Sequence, residues 1–290
     1  MILNNNFAVF ILTHGRPNNV ITYSTLLKQG YTGKIYLIID NEDKTASKYY
    51  DIYGPDKVIM FNKLEIAKSF DEFDNFGDRR TIVYARNACF DIAQKLGIKY
   101  FLELDDDYTA FDFRLYNNKA ILKPVKNLNN LFALILNYYK SISAKSITLA
   151  QGGDFIGGID NGKELFRFSK RKAMNTFFCS VDRPFKFIGR INEDVNTYIY
   201  KQSTGLLFLT ICNASITQKA TQSNHGGMTD IYVNRGTYIK SFYTVICSPS
   251  SVCIRQMNAK HQRLHHSINW ECAVPKIIDS KYKKYVKTLF

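Results

Sequence analysis

Tyr100-Phe101-Leu102-Glu103-Leu104-Asp105-Asp106-Asp107-Tyr108 decides the fold: an apolar stretch of strand length runs straight into three consecutive aspartates. Adjacent like charges repel and raise one another's pKa, so an acidic cluster at a strand tip needs a cation to stay ionised. Oxygen-only ligands select a hard divalent ion, Mg or Mn. In an open α/β sheet, ligands bind beyond the carboxyl ends of the strands, which makes this tip a site for a phosphate-bearing substrate held through the metal. The competing reading is a solvated turn with Asp107 as a cap.

Working outward, Thr81 to Leu96 carries apolar residues at helical spacing and stops at Gly97, placing a helix directly before the acidic strand. Upstream, Phe7-Ala8-Val9-Phe10-Ile11-Leu12 is a buried strand opening into the loop Thr13-His14-Gly15-Arg16-Pro17, after which Asn18 or Asn19 caps a helix through Leu27. Ile35 to Ile39 is a second strand ending at Asp40, and Val58 to Phe61 a third. This alternation of strand and helix is the pattern of a wound, Rossmann-like α/β sheet. Downstream, a helix over Leu128 to Tyr139 precedes a strand at Ile147 to Ala150 and the glycine-rich Gly152 to Gly158. Strands at Thr176 to Val181 and Leu206 to Ile211 flank a helix opening with Glu193-Asp194 and running to Tyr200. A helical stretch around Arg235 to Phe242 and a strand at Val252 to Ile254 follow. Neither a P-loop nor a dinucleotide fingerprint follows the first strand.

The chain has 290 residues, 46% hydrophobic, enough for a sizeable core and too apolar for a disordered polymer. No repeat or linker divides it, so residues 1–290 read as a single domain, an appended half following about residue 110. Six cysteines without a CxxC pair argue against a disulfide framework or zinc site and for core thiols in a reducing compartment. No signal peptide or membrane span is apparent, which gives a cytoplasmic location, the host cytoplasm if the chain is viral. The net charge of +14 favours a polyanionic partner, although a composition rich in Lys, Asn and Ile also fits an AT-biased genome. The C-terminal lysines 276, 281, 283, 284 and 287, with Tyr282 and Tyr285, resemble a backbone-tracking tail.

Taken in order, these pieces resemble the GT-A class of nucleotide-sugar glycosyltransferases. More closely, Phe10-x-x-Thr13-x-Gly15-Arg16-Pro17-x-Asn19, Tyr31-Thr32-Gly33-Lys34-Ile35-Tyr36 with Asp40, Asp74-Asn75-Phe76, Tyr84-Ala85-Arg86-Asn87 and Leu104-Asp105-Asp106-Asp107-Tyr108 are similar to the TET-associated glycosyltransferases of bacterial viruses. The resemblance is dense over about the first 110 residues and looser beyond. It implies a GT-A-type wound mixed sheet with flanking helices, a nucleotide-sugar half and an acceptor-binding, catalytic half. The implied activity is transfer of a sugar from a nucleotide-sugar, a UDP-sugar first, to 5-hydroxymethylated pyrimidines in double-stranded DNA, with Mn or Mg.

Residue by residue, the resemblance implies that Thr13, His14, Gly15 and Arg16 wrap the donor nucleotide, Gly allowing close backbone approach and Arg presenting a fork to phosphate. Asp40 accepts from the base or ribose, and Arg86 reaches the diphosphate or pairs with the acidic cluster. Asp105 and Asp107 take the outer positions of a D-x-D pattern, addressing ribose and metal, and strand alternation sends Asp106 the other way; Asp106 also permits a second register. Late in the chain, His225 completes the metal site. Asp194 is the general base and Glu193 its orienting partner, although both acids also suit a helix N-terminus. A hydroxymethyl group in the major groove requires the enzyme to enter the groove or flip the base, with Phe155, Tyr198 or Trp270 as stacking candidates and His261, Arg263, His265 and His266 as backbone contacts. Rival readings are a GT-A enzyme acting on a glycan, protein or small molecule, a nucleotidyltransferase, and a non-enzymatic DNA-binding protein.

Overall fold

The computed structural model describes residues 6–117, 119–151, 172–219, 236, 238–257 and 263–274. Strands β1 (Phe7–Leu12), β2 (Lys34–Asp40), β3 (Val58–Phe61) and β4 (Tyr100–Asp105) alternate with helices α1 (Ile21–Lys28), α2 (Ala46–Tyr53), α3 (Lys63–Ala67) and α4 (Val83–Lys95). Then come β5 (Tyr108–Asn117), β6 (Lys119–Pro124), α5 (Leu128–Ser141), β7 (Ser146–Gln151), β8 (Phe177–Ser180), α6 (Glu193–Ser203) and β9 (Phe208–Gln218). Helix α7 (Ile239–Cys247) and the pair β10 (Val252–Met257) and β11 (Arg263–Ile268) follow. A nine-stranded sheet has the order β3-β2-β1-β4-β8-β7-β9-β5-β6. Its first four strands are parallel and β8 joins β4 antiparallel, which is the wound mixed sheet with flanking helices that was expected.

Period-two alternation in β1 assigns the helices to faces. Phe7, Val9 and Ile11 pack with α1, α2 and α5, whereas Ala8, Phe10 and Leu12 pack with α4 and α6. All six residues of β1 are buried, as in a parallel strand covered on both sides. Phe10 lies on Phe101 at 5.2 Å, which meets Phe90 of α4 at 5.1 Å; each such ring contributes about 1.5–3 kcal/mol by leaving water. Helix α4 ends in a Schellman motif, with Ile98 N donating to Ala93 O, Gly97 N to Gln94 O, and Gly97 at φ 65°. That stop launches β4 in register with β1, pairing Leu12 with Asp105. The loop after β1, Asp40 and the acidic turn therefore share the carboxyl edge of the parallel strands.

Several expectations are corrected. Helix α1 begins at Ile21 after Val20 without a side-chain cap, so neither Asn18 nor Asn19 caps it. The strand expected over Leu206 to Ile211 runs instead over Phe208–Gln218, because it lies between two partners, parallel to β7 over residues 208–216 and antiparallel to β5 over residues 214–218. Strands β5, β6 and β11 were not foreseen, and β10 pairs with β11 as a separate hairpin. Cys89, Cys179 and Cys212 are buried thiols, whereas Cys253 and Cys272 are exposed. Among the described residues no helix is long and apolar enough to cross a membrane.

Candidate active site

The loop after β1 is fixed by side chains from three other segments. Gly15, in the left-handed region at φ 71°, donates its N–H to Asp43 Oδ2 at 2.6 Å. Thr13 Oγ1 donates to Asp106 Oδ2 at 2.7 Å, and Arg16 Nη1 donates to Asp106 Oδ1 at 3.1 Å. The Tyr49 hydroxyl accepts from Arg16 N at 2.8 Å and, because the Thr13 proton goes to Asp106, donates to Thr13 Oγ1 at 2.9 Å. Asp106 is thereby committed to holding the loop rather than to a free donor contact. Among the described residues, Arg16 Nε and Nη2 make no hydrogen bond, and its side chain is 26% exposed. Tyr49→Phe is expected to cost about 1–3 kcal/mol by stranding the Arg16 N–H, and to raise the donor KM more than it lowers kcat; thermal melts and steady-state kinetics check both.

Asp40 at the end of β2 is already engaged. It takes His14 Nδ1 at 2.7 Å, Lys63 Nζ at 3.1 Å and Glu42 N at 3.0 Å. Burial acts to raise the Asp40 carboxyl, but His14 and Lys63 outweigh it and hold the pKa below the ordinary value. Asp40 is therefore a buried carboxylate that orients His14, whose side chain is 47% exposed. Tyr49, Asp43 and Lys63 were missed from the sequence. Asp43 lies in the polar stretch Asn41-Glu42-Asp43-Lys44 just after β2, where a loop acid carries a weak signal, while Tyr49 and Lys63 give none.

The acidic turn between β4 and β5 is clamped by the first turns of α1. Thr22 Oγ1 donates to Asp105 O at 2.6 Å and accepts from Tyr108 N at 2.9 Å, while Thr22 N donates to Asp106 O at 3.1 Å. The three carboxylates then diverge: Asp105 meets Arg86 Nη2 at 2.9 Å, and Asp106 meets Thr13 and Arg16. Asp107 is half-buried, and among the described residues no side chain donates to its carboxylate. Because β4 ends at Asp105, strand alternation separates Asp105 from Asp106 but does not govern Asp107. Burial first, then the neighbouring Asp106 charge, pushes the Asp107 carboxyl up to about 6. A half-buried carboxylate made costly by burial and a like charge, with no side chain donating to it among the described residues, fits a divalent ion. Among the described residues no three His, Cys, Asp or Glu side chains are grouped to hold a metal alone, and a Mg-type ion taking one or two carboxylates plus substrate phosphates needs no such group.

Behind the turn lies Arg86 of α4, 1% exposed. Its Nε donates to Glu193 Oε1 at 3.0 Å, its Nη2 to Asp105, and its Nη1 to Asn175 O at 3.4 Å and lies 3.6 Å from Glu103 Oε2. Arg86 thus pairs with the acidic cluster. Glu103, missed as a charged group inside β4, is fully buried, and burial pushes its carboxyl up to about 8 against the pull of Arg86.

Glu193 and Asp194 open α6, as expected, and both are buried. The segment feeding them is tied to the 71–74 loop: Gly189 N donates to Asp71 O at 2.8 Å, Arg190 N to Glu72 O at 2.9 Å, and Arg190 Nε pairs with Asp74 at 2.8 Å. Asn192, at φ 62°, then turns the chain into the helix. Burial raises the carboxyls of both acids, and the two negative charges oppose each other's ionisation. Asp194 Oδ1 accepts from Val195 N at 2.7 Å.

Some expected residues are not part of this arrangement. Tyr198 is fully buried and stacks on Trp270 at 6.0 Å, so it is core rather than a platform for a flipped base. His266 is buried in the β10–β11 hairpin rather than presented to a backbone. His225, Phe155, His261 and the C-terminal lysines lie outside the described residues.

A family model described as TET-Associated Glycosyltransferase matches residues 7–227. No curated protein matches the chain. Glucosyl-3-phosphoglycerate synthase from Mycobacterium tuberculosis, solved with Mn2+, UDP and phosphoglyceric acid, is similar at 8% identity and a TM-score of 0.42, over 90% of this chain and 86% of that one. The same synthase with Mg2+ and UDP gives 7% identity and a TM-score of 0.44, over 90% and 87%. Likenesses this slight carry no functional meaning by themselves.

Proposed function

We propose that this chain, which belongs to the TET-associated glycosyltransferase family and is a glycosyltransferase, moves a sugar from a nucleotide-sugar to the hydroxymethyl group of 5-hydroxymethylated pyrimidines in DNA. The observation that carries the donor half is Asp107, a carboxylate with no side-chain partner among the described residues, beside an Arg16 with two uncommitted nitrogens. Arg16 grips a donor phosphate through those nitrogens, and Gly15 lets the backbone approach it. Thr13 and Asp106 keep the loop in shape, while Asp40 presents His14 to the nucleoside. Asp107, with the free oxygen of Asp105, holds Mn or Mg, and His225 is the proposed further ligand. When bound, the ion supplies Lewis-acid stabilisation of the departing nucleoside diphosphate.

The remaining steps belong to the chain's own groups. Asp194 takes the hydroxymethyl proton as that oxygen bonds to the anomeric carbon; the bond from that carbon to the diphosphate oxygen breaks, and its electron pair leaves with the nucleotide. Glu193 orients Asp194 or the donor sugar. Burial suits Asp194 to the task, because a carboxyl raised from its usual range is a stronger base near neutrality. The net charge of +14 supports a polyanionic acceptor. Residues 1–290 form one such domain, with donor contacts before about residue 110 and the base after it.

The test is to incubate the protein with hydroxymethylated or plain DNA, a panel of nucleotide sugars beginning with UDP-sugars, and Mn, then digest to nucleosides for mass spectrometry. A mass gain of one sugar on the hydroxymethylated nucleoside only is the expected result. A gain on a glycan with none on either DNA would replace the acceptor and keep the transferase.

A further inference from the structure

We propose that Arg86 is a positioning residue that fixes the base-bearing end of α6 against the donor-holding turn, an inference resting on the transferase reading above. One guanidinium joins Asp105 at 2.9 Å in the acidic turn to Glu193 at 3.0 Å, 107 positions away in sequence, at the head of α6. Its third arm reaches the Asn175 carbonyl at 3.4 Å, and that same carbonyl accepts the Tyr108 hydroxyl at 3.0 Å from just beyond the turn. The plane cannot swing, because the Phe177 and Phe187 rings lie 5.0 and 5.7 Å from its central carbon.

The consequence is geometric. Glu193 is held directly by Arg86, and Asp194 is the next residue, so among the contacts that seat the head of α6 the direct link to the acidic turn is one planar, five-donor group. At 1% exposure, Arg86 acts through these carboxylates and not on substrate. Lysine would keep the charge but has no rigid fork, so it satisfies one of these partners well and loosens the link from the acidic turn to the head of α6, while the ties of Gly189 and Arg190 to the 71–74 loop remain. A displacement of about 1 Å in a reacting group can cost about 100-fold in rate.

The experiment is Arg86→Lys, comparing kcat with the affinity for UDP, or for the nucleoside diphosphate of whichever donor the wild type accepts, measured by calorimetry in Mn. Positioning predicts a kcat lowered by about 10–100-fold, with nucleotide affinity changed by less than about threefold. An unchanged kcat would overturn the proposal, as would a nucleotide affinity weakened tenfold or more, which marks a direct donor contact. Should Arg86→Lys fail to fold, Arg86→Gln with Glu193→Gln removes the guanidinium and the carboxylate it holds at 3.0 Å together and must show the same split. If the wild type neither transfers nor hydrolyses any donor, the transferase reading falls along with the proposal. A fully active wild type matched by Arg86→Lys removes the proposal alone.

Discussion

Asp107→Ala is expected to lower kcat by about 10²–10⁴-fold while leaving the melting temperature unchanged or slightly higher, because several kcal/mol of leaving-group stabilisation disappear with it. The two effects have different origins. In the folded chain Asp107 makes no side-chain hydrogen bond among the described residues and is repelled by Asp106, so its removal relieves strain rather than creating it. In the loaded enzyme its carboxylate is proposed to hold the divalent ion. Paramagnetic resonance of Mn with nucleoside diphosphate, alongside thermal melts and steady-state rates, separates these contributions: the variant should lose bound Mn and turnover but no stability. Retained turnover would remove Asp107 from the site.

Asp194→Asn is the second large effect, with an expected fall in kcat of about 10²–10⁴-fold, the usual worth of a general base. Asparagine keeps the shape and can still accept from Val195 N, so helix α6 keeps its start. An acid in the first turn of a helix contributes about 0.3–1 kcal/mol through the macrodipole, and stability should fall by no more than that. A kcat that collapses while KM for donor and the melting temperature hold identifies the base. Activity within twofold of wild type, with only the small loss of stability, would leave Asp194 as a helix-opening acid and nothing else.

The sequence made the parallel part of the sheet legible because β1 is buried throughout, β2 and β4 are buried over most of their length, and all four parallel strands read as short, mainly apolar runs. The acids Glu193 and Asp194 were legible for a different reason, since charge at a helix start is a local signal. What could not be read are the contacts made across the sheet. Tyr49 is an ordinary aromatic on α2 until folding brings its hydroxyl to Thr13, 36 positions earlier, and Glu103 looks like part of the acidic tip although its carboxylate is enclosed in β4. Asp40 was placed correctly at the end of β2, but its partners His14 and Lys63 come from two other segments and change what it offers. The edge hairpin of β5 and β6 escaped notice because its outward residues Phe113, Leu115 and Ile121 are exposed apolar groups that blur the alternation of a half-buried strand.

The most direct measurement is a crystal structure of the protein soaked with Mn and a UDP-sugar it accepts. The expected density is an ion on Asp107 joined to the donor diphosphate, with Arg16 against a phosphate and the sugar facing Asp194. Density for the nucleotide elsewhere, or no ion and no nucleotide with the aspartates at 105 to 107 unchanged, would contradict the account.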